Sequence, residues 1–224
     1  MIEMNDNKKI ACLDADIIIK MCHNNSELLE KIVDYFDECY IHKKVYYEVE
    51  WPKETVNLLN WLFDNNEIKL ITDRQLYKRL EIKKLLINSL QQVCDIFAIT
   101  YKSIYSDLEK YVNNEDRFFN KLNEADKSIE ENLGKIRTLQ MIILLREIEW
   151  EKINYFISDD RRARNAIILK YGNTFTEQKL YGVSLISSLY FLRNNGLAKN
   201  TALNLIEKIP SSESKIFYDK NRME

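Results

Sequence analysis

Residues that make tight turns are scarce in this chain, which has four glycines and two prolines among 224 residues. An all-β sandwich needs tight turns between many short strands, so this composition argues against that class. Glycine and proline also interrupt helices, and their scarcity favours long helices with few hairpins. The sequence therefore predicts a helix-rich protein.

Long apolar runs are missing as well. The longest, residues 141–145, is far shorter than the roughly 20 residues that cross a bilayer. The first nine residues are polar and charged, which is not the pattern of a signal peptide. The four cysteines show no CxxC spacing and are typical of reduced thiols in the cytosol. We therefore expect a cytoplasmic protein with no membrane contact.

The chain carries no excess of positive charge. It has 33 Lys and Arg against 35 Asp and Glu, a net charge of −2, and an isoelectric point near 5.9. Nucleic-acid-binding proteins are often basic, so this balance weakens that interpretation. It does not remove it, because a cluster of catalytic carboxylates adds negative charge and local basic patches supply attraction for phosphate.

Acidic motifs follow two apolar runs that lie far apart in the sequence. Asp14 and Asp16 follow the first run, and residues 9–19 are expected to form a buried strand that continues into a loop. Asp159 and Asp160 follow the second run, a predicted strand at residues 155–158. Strands separated by helical segments predict an α/β parallel sheet, whose active site lies at the carboxyl ends of the strands. These acids are therefore expected to meet there.

Such a cluster of carboxylates needs compensation, because like charges repel and burial adds to the cost. A divalent cation provides it most directly. Carboxylate oxygens are hard ligands that suit Mg²⁺ or Mn²⁺, and these ions serve mostly phosphate chemistry. The residues alone thus predict a metal-dependent enzyme that acts on phosphate esters.

Four motifs in order resemble those of the PIN-domain nucleases: residues 13–19, 45–49, 157–164 and 182–197. The resemblance covers about residues 9–72 and 128–209. It implies an α/β, PIN-like (Rossmann-like) parallel sheet flanked by helices, in a single domain over residues 1–210. Because typical members are shorter, residues 73–127 look like a large helical insertion. Residues 211–224 form a polar tail.

The resemblance also implies the acids of the site. Asp14, Glu48 and Asp160 would be the catalytic acids and would hold one or two Mg²⁺ or Mn²⁺ ions, with Asp16 and Asp159 completing or orienting the metal shell. A metal-activated water would then attack a phosphodiester in line. Two interpretations stay open at this stage: Asp160 is also a natural helix N-cap, and Glu50 is an alternative to Glu48.

Basic residues follow the last acids directly. Arg161, Arg162 and Arg164 are placed to contact substrate phosphates. The implied activity is that of a metal-dependent endoribonuclease, toxin-like in character, and the implied partner is RNA or another single-stranded nucleic acid. An antitoxin-like protein and a second copy of the chain, forming a homodimer, are the protein partners that this resemblance leaves open.

One position departs from the family pattern. Many PIN domains have Leu-Gly-Glu before the late strand, and this Glu is the third acid, whereas the chain has Lys135 after Leu133 and Gly134. A lysine removes a ligand and adds a competing positive charge. Glu131, one helical turn earlier, is the candidate replacement. Otherwise the site is degraded.

Two alternatives to a nuclease remain. A degraded PIN-like domain would bind RNA or a protein partner without cleavage. The Asp14-Ala15-Asp16 sequence also resembles the motif of haloacid-dehalogenase-type phosphatases, in which Asp14 would be the nucleophile and Asp16 the general acid. That family has Thr or Val where this chain has Ile18, and it does not account for the motif around Glu48.

Overall fold

The computed structural model of the chain describes residues 8–24, 26–49, 53–129, 132–148, 153–171 and 180–208. The strands in these residues are β1 (Ile10–Leu13), β2 (Glu38–His42), β3 (Ile68–Ile71), β4 (Tyr155–Ile157) and β5 (Tyr181–Val183). The helices are α1 (Ala15–Asn24), α2 (Ser26–Tyr35), α3 (Lys43–Glu48), α4 (Lys53–Asp64), α5 (Asp73–Arg79), α6 (Lys84–Phe97), α7 (Tyr101–Ile104), α8 (Leu108–Tyr111), α9 (Glu115–Asp126), α10 (Leu133–Glu147), α11 (Arg161–Tyr171), α12 (Leu185–Asn194) and α13 (Lys199–Lys208).

The five strands form one sheet in the order β3-β2-β1-β4-β5. The pairings of β1 with β2, of β1 with β4 and of β4 with β5 are parallel. From β1 the chain proceeds outward through β2 to β3 and then returns to the other side of β1 as β4. The order therefore reverses between β1 and β4, and in open α/β sheets ligands bind outside the carboxyl ends of the strands at such a reversal.

The predicted α/β parallel sheet flanked by helices is confirmed, with two local differences. The apolar run after Asp14 is not a continuing strand and loop, since α1 begins at Ala15. Short apolar runs do not distinguish a strand from a buried helix, which is why residues 17–19 were misassigned. The edge strand β5 was not expected at all; it has only three residues, and one of them is Gly182.

Contacts between residues divide the chain into two compact units. Of the described residues, unit 1 holds those within 1–40, 49–69 and 153–224, and unit 2 holds those within 41–48 and 70–152. The segment predicted as an insertion, 73–127, contains α5 to α9 and is helical as expected. The single domain over residues 1–210 stays a prediction, and residues 211–224 lie outside the described residues.

Unit 1 is organised around β1, all four of whose residues are buried. The α1 side chains of Ile17, Ile18 and Met21 are completely buried, and α1 packs on α2 and α4. A strand that is apolar on both faces is typical of a parallel sheet with helices on both sides. The carboxyl end of β1 is consequently fixed by a dry core.

Unit 2 is organised around α10, which packs on α6, α3 and α5. Nearly all of its residues from Ile136 to Leu145 are buried, so the helix has no polar face turned to water. Among the described residues, no helix is both long and apolar enough to cross a membrane.

A buried ionic network holds unit 2 together. The Arg137 side chain is 0% exposed and donates to Asp126 and, at 2.6 Å, to Gln140 Oε1. Tyr105 donates its hydroxyl hydrogen to the same Asp126 oxygen at 3.2 Å, and Lys44 Nζ lies 3.3 Å from the other. The Arg137 guanidinium thus lies against an acid of α9, and that acid also lies against a lysine of α3.

Removing one partner of this network should strongly destabilise the protein. Replacing Arg137 with Met leaves the buried Asp126 carboxylate without its main counter-charge, and we expect a loss of about 3–5 kcal/mol in the free energy of unfolding. Urea denaturation measures this loss. Arg74→Met is the matched control, since Arg74 makes an exposed pair with Glu115, and its urea midpoint should barely change. Equal effects of the two variants would contradict this account of the network.

A second prediction concerns Asp73, whose Oδ1 lies 3.4 Å from His42 Nε2. Burial raises the pKa of the Asp73 carboxyl, but the charges of His42 and Arg137 outweigh burial and hold the pKa well below its usual range. Stability from a lowered pKa is present above the unfolded pKa of about 3.9 and is lost as the pH falls through the folded pKa. The difference in unfolding free energy between wild type and Asp73→Asn should therefore shrink from about pH 5 to about pH 2.5. A difference that stays constant over this range would refute the linkage.

Candidate active site

Asp14 lies at the reversal of strand order, directly after β1, and has no exposed surface. Its backbone N–H donates to the carbonyl of Ile157, the last residue of β4, at 3.0 Å. Its carboxylate accepts two hydrogen bonds, from the Ala15 N–H to Oδ1 at 2.9 Å and from the Ser158 hydroxyl to Oδ2 at 2.7 Å. The sheet therefore holds this carboxylate rigidly at its carboxyl edge.

Ser158 connects the two acidic motifs. While its hydroxyl donates to Asp14, its Oγ accepts the backbone N–H of Asp160 at 3.1 Å. The Asp160 carboxylate in turn accepts the Ala163 N–H at 3.0 Å, which is the geometry of a helix N-cap for α11. Asp160 thus caps α11, as one of the two interpretations of this residue predicts.

Asp159 is held on both sides within unit 1. Its Oδ1 accepts the N–H of Leu185, the first residue of α12, at 3.1 Å, and its Oδ2 lies 2.8 Å from Lys20 Nζ. The Asp159 side chain is 2% exposed. This carboxylate joins the end of β4 to α1 and α12, and its charge is compensated by a lysine of the chain itself.

Asp16 differs from its neighbours. It lies in the first turn of α1, and its buried Oδ1 accepts no hydrogen bond from the residues that the structure describes. A buried oxygen without a donor costs free energy unless some other group compensates it. Together with the buried Asp14 carboxylate, this oxygen fits a hard cation.

The donor set is small, however. Among the described residues, no group of three or more His, Cys, Asp or Glu side chains is arranged to hold a metal. Mg²⁺ is usually bound through one or two carboxylates, with waters and substrate phosphates completing its shell. A magnesium-type ion held by Asp14 and Asp16 therefore stays a prediction, and the part of the chain described forms no cage made entirely of protein ligands.

The nearest thiol does not add a ligand. Cys12 is buried in β1 two residues before Asp14. Burial, helped by the charge of Asp14, raises the pKa of the Cys12 thiol well above its usual value. It stays protonated at neutral pH, and a protonated thiol is neither a nucleophile nor a good metal ligand.

The three predicted phosphate-binding arginines lie in the first turns of α11 and differ in their exposure to solvent. Arg161 and Arg162 are exposed. Arg164 is half-buried and its Nη1 donates to the Ser158 carbonyl at 2.6 Å. Arg164 therefore supports the backbone at the end of β4, whereas the first two remain predictions as substrate contacts.

Glu48 belongs to unit 2, where it caps a helix. Asn132 precedes α10 with a positive φ of 65°, and the Glu48 carboxylate accepts the N–H of Gly134 at 2.7 Å. A Cβ at residue 134 would overlap the Glu48 carboxylate, so the glycine of the Leu-Gly-Lys motif is explained by this approach. Lys135 is half-buried on the same helix. The proposed substitute Glu131, and Glu50, lie outside the described residues.

The structure thus links Asp14 to Asp160 through Ser158 in unit 1, where Asp16 and Asp159 lie near them in sequence, while Glu48 lies in unit 2. No family model matches this chain, and no curated protein or solved structure matches it either. Membership of the PIN family accordingly stays a prediction that rests on the four motifs.

Two residues of the site were not found from the sequence. Ser158 precedes the acids and was assigned to a strand, yet its hydroxyl links Asp14 to Asp160. Lys20 was assigned no role, yet it pairs with Asp159. For Ser158 the signal is its place directly before two acids at a strand end; for Lys20 the sequence carries no such signal, because its partner Asp159 is 139 residues away.

The contact between Glu48 and Gly134 predicts a coupled pair of substitutions. In a Glu48→Ala background, Gly134→Ala should raise the free energy of unfolding by about 0.5–1 kcal/mol, the usual gain of alanine over glycine in a helix. In the wild type this gain should vanish, because the new methyl displaces the capping carboxylate. Chemical denaturation of the four proteins in this double-mutant cycle gives the coupling. Independent effects would show that Glu48 does not cap α10.

Proposed function

We propose that this chain is a metal-dependent endoribonuclease of the PIN type, with α5 to α9 as an insertion in that fold. The observation that carries the proposal is the position of Asp14, a completely buried carboxylate at the reversal between β1 and β4. Sites for phosphate-containing ligands lie at this place in open α/β sheets. A charge kept in a dry environment at a ligand-binding edge is typical of function rather than of stability.

Asp14 and Asp16 would hold a Mg²⁺ or Mn²⁺ ion. When bound, such an ion neutralises phosphate charge and lowers the pKa of a water molecule. Ser158 keeps the Asp14 carboxylate in place through its 2.7 Å hydrogen bond. The dry core under β1 excludes bulk water from the base of the site and thereby strengthens each electrostatic interaction there.

Substrate contacts would come from the first turn of α11. Arg161 and Arg162 are exposed there, and the Asp160 cap holds the start of this helix close to Asp14 through Ser158. One guanidinium group can bind two phosphate oxygens at once, so the two arginines would position the backbone of a single-stranded RNA. An antitoxin-like partner or a homodimer stays a prediction.

Cleavage of a labelled single-stranded RNA with Mn²⁺ or Mg²⁺ tests the proposal. Asp14→Asn preserves the size of the side chain but removes the charge that would hold the ion, and activity should fall by about 100-fold or more, the scale of losing one strong electrostatic stabiliser. Asp64→Asn is the matched control at the end of α4 and should leave the rate unchanged. Circular dichroism checks that both variants fold.

The competing functions give different results in the same experiment. Metal-dependent RNA cleavage that persists in Asp14→Asn would reject this site. Release of phosphate from p-nitrophenyl phosphate, without cleavage of RNA or single-stranded DNA, would identify a phosphatase instead. RNA binding without cleavage at any metal concentration would identify the degraded binding domain.

A further inference from the structure

Lys20 is a cation built into the acidic edge of unit 1. Its side chain leaves α1 one turn after Asp16, and its Nζ lies 2.8 Å from Asp159 Oδ2. Both groups are largely removed from water, since the side chains are 21% and 2% exposed. An ion pair at this depth is fixed in position, unlike the mobile pairs of a protein surface.

Asp159 and Asp16, two acids of this edge, differ in how the protein compensates their charges. Asp159 has an amide donor on Oδ1 and an ammonium on Oδ2, so its charge is satisfied by the protein. Asp16 has a buried Oδ1 that accepts no hydrogen bond from the described residues. Of these two acids, only Asp16 has a buried oxygen that a cation from solution would compensate.

We infer that the Lys20 ammonium takes the place of one divalent ion, so that the edge accepts a single divalent ion, held by Asp14 and Asp16. This inference rests on the proposed function, because it concerns the ion of the same site. Asp159 is then a positioning residue that joins β4 to α12 through Leu185, and it is not a metal ligand. Lys20 sets the number of ions.

The inference predicts the number of ions that the full-length chain binds. Mn²⁺ titration followed by electron paramagnetic resonance should give one ion for the wild type. Lys20→Met leaves a buried carboxylate without its counter-charge, and this variant should bind a second Mn²⁺. Lys20→Arg keeps the charge and should bind one. Lys69→Met, which removes one of the two lysines paired with the half-buried Glu38 in the same unit, is the matched control and should also bind one.

A second pair of variants does not depend on the folding of Lys20→Met. The double variant Lys20→Met/Asp159→Asn removes both charges of the pair and keeps an oxygen for the Leu185 N–H, and it should leave the affinity for the single Mn²⁺ unchanged. Asp16→Asn should weaken that affinity by about tenfold or more, as loss of a ligand does. The same titration measures both affinities, without reference to cleavage.

The outcomes separate the inference from the proposed function. Two ions on the wild type, one ion on a folded Lys20→Met, or weaker binding by Lys20→Met/Asp159→Asn would each overturn the inference and leave a metal-dependent nuclease standing. No Mn²⁺ bound by the wild type or by any variant would overturn both. One ion on the wild type with two on Lys20→Met would establish Lys20 as the resident cation.

Discussion

A carboxylate without exposed surface must be compensated by its surroundings, and the arrangement around Asp14 follows from that constraint. Parallel pairing of β1 with β4 places the Asp14 backbone against Ile157. The next residue of that strand end, Ser158, then supplies a hydroxyl donor, and its oxygen accepts the amide of Asp160. A single hydroxyl thus links the first acidic motif, the second acidic motif and the start of α11. Shifting the register between β1 and β4 by one residue would break all three connections together.

Unit 2 meets the same constraint with different means. Its buried charges belong to Arg137 and Asp126, which come from helices, and they are satisfied by a guanidinium, a hydroxyl and an ammonium from the chain itself. These ionic contacts are internal to unit 2, although Asp126 Oδ2 and Arg137 Nε have no hydrogen-bond partner among the described residues. In unit 1, Asp159 is likewise paired with Lys20, whereas the buried Oδ1 of Asp16 accepts no hydrogen bond from the described residues. The proposed chemistry lies in unit 1 because its acids follow the carboxyl ends of the two central strands, β1 and β4.

The class of fold and the main acids were accessible from the sequence, because they depend on local patterns. Apolar runs that end in Asp14 and in Asp159-Asp160 predicted strands whose ends meet, and the sheet confirms that meeting. What could not be predicted depends on pairing over long distances. Lys20 and Asp159 are 139 residues apart, and no pattern in the neighbouring sequence indicates which acid pairs with the lysine. The cap from Glu48 to Gly134, 86 residues away, is hidden for the same reason, and β5 is too short to produce a pattern of alternation.

Both units are built from segments that lie far apart in the sequence, and this affects the order in which the chain can fold during synthesis. The link between Asp14 and Ser158 spans 144 residues, so β1 leaves the ribosome long before the strand that stabilises its other edge. Unit 2 also joins an early segment, residues 41–48, to helices made much later. Neither unit can close its core until most of the chain is available, and early strands must wait with unpaired edges. Chains with such distant contacts fold slowly and expose apolar surface in their intermediates, and β1 lacks the partner strand on one edge until β4 has been made.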